Sequence, residues 1–425
     1  MSVQSHSSMS PANVMKTSPS LNPLLQILHR KLKEPKSIAE VRQYFAGMTP
    51  ADVLYQAHVK VLARAHNMSG ASFIQHTTGL SRSQLRLGVR RQSTLDRAMQ
   101  RRIANMRSQL RRKQWKPEEI AEFEAGFPGL RSDFPTGYAD FTYAAFYGFG
   151  GGEEAISHAI EIDRLIWDLE HAYRDGMPPV QIGQILRDCS IFDAEHFDRP
   201  EGQLAADYSE RQALAELAQT SSWEEATPLI AVIGVHCLIS LLAIFDICIQ
   251  RYLGPVWSDS IDGSVVTRLF PRLSPRAAVE TDRPSRRGLV ELPVALLLDF
   301  SVRLIYRSRN GQWPRKRPSW KEVACWTTSV STGLLAQWRS GQKSMTAADF
   351  ARFWLEASST PRRQRHPPPI PMPLYFAAIM LETCCVTWKR QGKHRSVLLL
   401  NRDDYLARRQ RLMEASATGA SGRSA

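Results

Sequence analysis

The sequence predicts a mostly α fold: a multi-helical chain with two helix-turn-helix units and an acidic helical middle domain between them. Three observations carry that reading. Apolar residues recur at three- and four-residue steps through much of the 425-residue chain, a spacing that gathers them on one helix face. Two segments, 74–87 and 324–341, each set a turn between two such patterns. The charge also reverses along the chain: residues 117–228 hold 23 acidic and 6 basic residues, whereas the whole molecule carries +14. A chain of this length can bury two or three cores.

Residues 1–20 are rich in Ser, Pro and Asn and have no apolar stretch behind a basic start, so they read as a disordered leader and not as a signal peptide. The N-terminal unit covers 21–116. In it, Leu21–Leu32 and Ile38–Ala46 are short amphipathic helices, and Thr49 with Asp52 makes a capping pair that opens a helix running to about His66. A helix-turn-helix then needs an apolar residue before its turn, a residue tolerant of positive φ within it and apolar residues after it. Ile74, Gly79, Leu80 and Leu85 supply these. Ser81 caps the second helix, leaving Ser83, Arg82, Arg86 and Arg90 on its outward side. Two positions fit poorly, because Gln75 stands where close approach favours a small residue and Gly88 where a packing side chain is needed. An ordinary helix-loop-helix corner is the alternative.

The stretch Ser93 to Lys113 continues as a helix in which Leu95, Met99, Ile103, Met106 and Leu110 form one apolar stripe. Between Arg82 and Lys116 there are 12 basic residues and one acid, Asp96. Like charges at that density repel, and a phosphate backbone relieves the repulsion while releasing counterions. Arg101, Arg102, Arg111 and Arg112 are therefore the expected phosphate contacts.

The acidic helical domain covers 117–253. Its first part, 117–152, is rich in Gly, Pro and aromatic residues and reads as a loop-rich connector or packing platform. Gly150–Gly152 is no phosphate loop, since no Lys-Ser/Thr follows and Glu153 and Glu154 would repel phosphate. The helix Glu153–Tyr173 carries Glu154, His158, Glu161 and Asp168. These read as a solvated acidic face, because a second helix with a matching Glu-x-x-His unit is lacking. Leu229–Ile249 is nearly long enough to cross a bilayer, yet it contains His236, Ser240 and Asp246. With a mean hydropathy of −0.30 for the chain and no second such span, a buried core helix with partnered polar groups is expected, and membrane association is not.

Residues 254–318 read as a linker and basic lead-in, irregular through Arg287 and then apolar, as helix or strand, over Val290–Ile305. The second unit covers 319–358. Cys325 is small where helices must approach closely, Val330 and Leu335 are apolar, and Trp338 follows Leu335 on the same face. Ser329 takes the place of a turn glycine, Gly341 ends the helix, and Thr346 with Asp349 caps another whose Phe350, Phe353 and Trp354 form a stripe. The string WRSGQKSMTAADFARFW resembles the segment after the recognition helix in phage-repressor-type (Cro-like) helix-turn-helix domains. That resemblance implies that Ser331, Thr332, Ala336 and Gln337 face a DNA groove, with Arg339 beside them. A helical hairpin whose tryptophans are simply core is the alternative. In 359–425, Pro361–Pro373 is expected to be extended, Leu374–Trp388 to be a last buried helix, and the rest a basic tail.

From Ala51 to about Arg91, a helix followed by Gly-Leu-Ser-Arg-Ser-x-Leu and a basic exit is similar to the amino-terminal part of the C subunit of the flagellar master activator. The resemblance implies a transcription activator working with a partner subunit. The chain departs from that family in lacking its zinc-binding cysteine quartet and in being considerably longer.

The six cysteines show no CxxC pair, which fits a reduced, cytoplasmic protein without a metal, and Cys384 and Cys385 read as packed thiols. An isoelectric point near 9.7 favours a polyanionic partner. HExxH, Walker, GxSxG, dinucleotide-binding and deaminase patterns are all absent, so neither catalysis nor a cofactor is expected. The function expected is that of a sequence-specific regulator of transcription on double-stranded DNA, an activator with a protein partner or second copy bound through the middle domain. A non-catalytic DNA scaffold in partition or replication is the runner-up. A DNA strand-processing enzyme is third, since Arg390, His394, Arg395 and Tyr405 are too crowded for a recombinase site.

Overall fold

The computed structural model describes residues 48–78, 92–112, 114–134, 136–187, 217, 219–257, 264–270, 272–273, 290–340, 342–359, 369–391, 405–406 and 408–414. The fold is multi-helical and mostly α, as the periodicity predicts. The helices expected at 21–32 and 38–46, the second helix of the first helix-turn-helix and most of the proline-rich connector lie outside the described residues.

Helix α1 (Pro50–Ala65) begins at the predicted capping pair: Thr49 Oγ1 accepts from the Asp52 amide at 3.2 Å, and the Asp52 carboxylate accepts from the Thr49 amide at 3.3 Å. It buries Val53, Leu54, Ala57 and Val61. Helices α2 (Gly70–Thr78) and α3 (Gln92–Arg112) follow, packed on each other.

The stretch read as a loop-rich connector or packing platform is helical, and it does serve as a packing platform. It holds α4 (Pro117–Gly126), a 3-10 turn (Pro128–Leu130) and α5 (Tyr138–Phe146). The aromatic residues between its prolines and glycines are core: Tyr138, Phe141 and Phe146 are all buried. The glycines make close packing possible, since a Cβ on Gly152 would come within 2.4 Å of the Phe146 side chain. Asp163 secures the start of α5 from the following helix, α6 (Glu153–Arg174), accepting the Tyr138 and Ala139 amides at 3.0 and 2.8 Å. It also accepts the Tyr55 hydroxyl of α1 at 3.1 Å, so three helices meet on one carboxyl.

After α7 (Pro179–Arg187) comes α8 (Trp223–Trp257), which packs against α1 and α6. By length and composition α8 could cross a membrane, and 87% of its most apolar window is buried within this structure. Its polar residues have partners, as a core helix requires. Ser240 meets His158 Nε2 at 2.9 Å, and burial holds that imidazole down at about 4, so it is neutral at pH 7. His158 therefore belongs to the core and not to the acidic face of α6. His236 Nδ1 lies 3.1 Å from Arg408 Nη1.

Asp246 has the largest set of partners. It accepts the Val265 and Val266 amides at 2.8 and 3.0 Å and the Tyr405 hydroxyl at 3.2 Å, and it pairs with Arg409 at 2.9 Å. Part of the expected linker is thus a buried 3-10 turn (Val266–Leu269), and Tyr405 and Arg409, expected in a basic tail, are buried.

Strands β1 (Arg272–Leu273) and β2 (Val290–Glu291) form a two-residue antiparallel pair. The apolar run from Val290 resolves into β2 and helix α9 (Pro293–Asn310), with Pro293 at the first helical turn and Gly311 ending the helix at φ 73°. Helices α10 (Trp320–Ala324), α11 (Thr332–Ser340) and α12 (Ala347–Ser358) follow, then α13 (Met372–Gln391), which packs on α1, α8, α9 and α12. One apolar core runs from α1 through α8 to α13 and includes Leu335, Trp338, Phe350 and Trp354. A smaller cluster of Leu110, Ile120, Phe123 and Phe127, with Trp115 and Tyr147 against it, anchors the C-terminal end of α3.

Candidate nucleic-acid interface

The second unit is built from its turn outward. Ser319 Oγ accepts from the Glu322 amide at 3.2 Å and starts α10, which is only five residues long. Because α10 ends at Ala324, Cys325 begins the turn and is exposed, which corrects its expected place at the close approach of two helices. Val323, fully buried, and Ala324, half-buried, occupy that inner side.

The turn itself is held from α12. Glu356 accepts from the Thr328 and Ser329 amides, each at 2.9 Å, and from the Ser329 hydroxyl at 2.6 Å. Ser331 Oγ then accepts from the Leu334 amide at 3.2 Å, capping α11. Ser331 is thus a capping residue, beyond its expected role at the groove.

Along α11, Leu335 and Trp338 are 0% and 3% exposed, while Thr332, Ala336, Gln337 and Arg339 face solvent. One side of the helix is fixed in the core and the other presents a hydroxyl, a methyl, an amide and a guanidinium. Helix α12 starts on the predicted Thr346–Asp349 box, buries Phe350, Phe353 and Trp354, and is secured by the Tyr375 hydroxyl, which donates to the Met345 carbonyl at 3.0 Å.

Arginine–tryptophan stacks surround the unit. The Arg317 guanidinium lies 4.4 Å from the Trp320 ring and pairs with Asp299 at 3.1 Å, and that of Arg339 lies 5.7 Å from the same ring. Arg307 lies over Trp313, and Arg309 over Trp326 while donating to the Ala357 carbonyl at 2.7 Å.

In the N-terminal unit, Arg101, Arg111 and Arg112 are exposed on α3. Arg107, on the same helix, is paired with Glu124, at 3.0 Å through Nη2. Ser81, Arg82, Ser83, Arg86, Arg90 and the side chain of Arg102 lie outside the described residues.

Two contributors escaped the sequence reading. Ser319 was legible in principle, since Ser319 and Glu322 have the spacing of a capping box. Glu356 was not, because its partners are 27 and 28 residues away and no local pattern marks them. Partial burial works against ionisation of Glu356, but the donors at Ser329 and Thr328 outweigh it and hold its carboxyl below the usual range. A depressed native value means that this stabilisation is complete above the ordinary glutamate range and is lost as pH falls through the native value. Glu356→Gln is therefore expected to lower the thermal midpoint at neutral pH, with the gap to the parent protein closing on acidification. A gap that is constant with pH would show that the charge of Glu356 does not hold the turn.

Compared with known proteins, the chain matches no family model, no curated protein and no solved structure.

Proposed function

We propose that the protein is a sequence-specific DNA-binding regulator of transcription, with α11 as its reading helix. The observation that supports this most is the division of α11 into a face locked by Leu335 and Trp338 and an opposite face presenting Thr332, Ala336, Gln337 and Arg339. Specific reading requires polar side chains on a rigid support, and a glutamine can pair bidentately with adenine in the major groove. The exposed arginines of α3 supply sequence-independent attraction to phosphates. The exposed acids Glu161, Asp168 and Asp175 on and just after α6 form the surface through which a protein partner or second copy is engaged.

Selection from random duplexes tests the reading. An enriched motif supports a regulator, tight binding without a motif indicates a scaffold, and cleavage or joining of the duplex indicates a strand-processing enzyme. Given a motif, Gln337→Ala is expected to relax preference at about one base pair, at a cost of roughly 1–3 kcal/mol there, with the melting curve unchanged. A motif that Gln337→Ala leaves intact would remove this residue from the reading surface.

A further inference from the structure

The basic residues around α11 sort into two groups by what they touch. Arg307, Arg309, Arg317 and Arg339 lie against tryptophan rings, and Arg309 and Arg317 are further committed to the Ala357 carbonyl and the Asp299 carboxylate. Arg315, Lys316, Lys321 and Lys343 are exposed and have no ion-pair partner among the described residues.

The second group belongs to the two connecting segments that meet the C-terminal end of α11, Arg315 standing two residues before Arg317. Trp320 receives Arg317 from the lead-in and Arg339 from the last turn of α11, which brings the lead-in to that turn. Lys316 immediately precedes Arg317, and Lys321 immediately follows Trp320. On the other connection, the Lys343 amide donates to the Gln337 carbonyl at 3.2 Å, placing Lys343 beside the same turn.

Resting on the reading of α11 as a DNA-reading helix, we infer that Arg315, Lys316, Lys321 and Lys343 form a clamp for the phosphates of duplex DNA at the C-terminal end of α11. The stacked arginines hold the lead-in in place, and the four exposed cations take the phosphates. Lysines suit this task, since they bind phosphate as point charges and carry no base information. The clamp fixes the register in which Thr332 and Gln337 meet the bases.

The test uses the full chain and a fluorescein-labelled mixed-sequence duplex, titrated across a range of salt concentrations. Each phosphate contact contributes about 0.9 to the slope of log affinity against log salt, so replacing all four residues by Gln is expected to flatten the slope by about 3 to 4. Arg131→Gln, an exposed charge on the turn after Pro128–Leu130, is expected to leave it unchanged. The melting curve of each variant is recorded, and if the fourfold variant melts early, Lys316→Gln with Lys343→Gln is used, with an expected loss of about 2. An unchanged slope in a folded variant, when the parent protein binds the duplex, overturns the clamp and leaves the reading helix standing. An equal loss of slope on single-stranded RNA overturns the assignment to duplex DNA. A parent protein that binds no duplex at low salt overturns both readings.

Discussion

Asp246→Ala is expected to cost about 3–5 kcal/mol of stability. The side chain is fully buried and receives two backbone amides, a tyrosine hydroxyl and a guanidinium that is itself 8% exposed. Removing it leaves both backbone amides without an acceptor and takes the counter-charge from a buried arginine, which accounts for most of the loss, while Tyr405 keeps the Leu242 carbonyl at 3.4 Å and Arg409 the Gln250 side chain. Burial pushes the carboxyl above the usual aspartate range, against the donors from Ser264, Val266, Arg409 and Val265. Asp246→Asn is expected to cost less, since the amide oxygen still accepts from the two backbone groups. Urea titration of both variants checks the order. An Asp246→Ala protein as stable as its parent would show that 405–414 is not fixed to α8 through this residue.

Trp338→Ala is expected to cost about 3–5 kcal/mol and to unfold the second unit, and with it the duplex binding proposed above. Trp338 belongs to the continuous apolar core beside Leu335 and Phe350, so its loss opens a cavity that α9 and α10, both packed against α11, cannot close without moving. Its indole N–H has no acceptor among the described residues, so burying that group adds nothing to stability. Trp338→Phe is consequently expected to lose much less than Trp338→Ala. Thermal melting gives the ranking. An unchanged midpoint for Trp338→Ala, with a lowered one for Gln337→Ala, would mean that α11 faces the opposite way.

Elements whose information is local were legible in the sequence. The caps at Thr49–Asp52 and Thr346–Asp349 are formed within four residues, and the stripes Leu335–Trp338 and Phe350–Phe353–Trp354 follow from helical spacing alone. The polar residues of α8 were legible as groups needing partners, but the partners were not. His158, Arg408 and Tyr405 stand 82, 172 and 159 residues from Ser240, His236 and Asp246. Composition misled at 117–152, where glycine and proline read as loop although the tyrosines and phenylalanines between them carry short buried helices. Of the candidate site, the exposed face of α11 could be read from spacing. The clamping of its turn by Glu356 and the stacking of Arg317 and Arg339 on Trp320 exist only once the chain has folded.

The distance along the chain between Asp246 and its partner Tyr405 also sets an order of events during synthesis. At about 5–20 residues per second, α8 waits roughly 8–30 s after its own completion before residues 405–414 are made. For that interval α8, the one helix among the described residues long and apolar enough to cross a membrane, carries a carboxyl without its tyrosine and arginine. A ribosome that stops short of 405 therefore releases a chain in which Asp246, on α8, lacks both its tyrosine and its arginine.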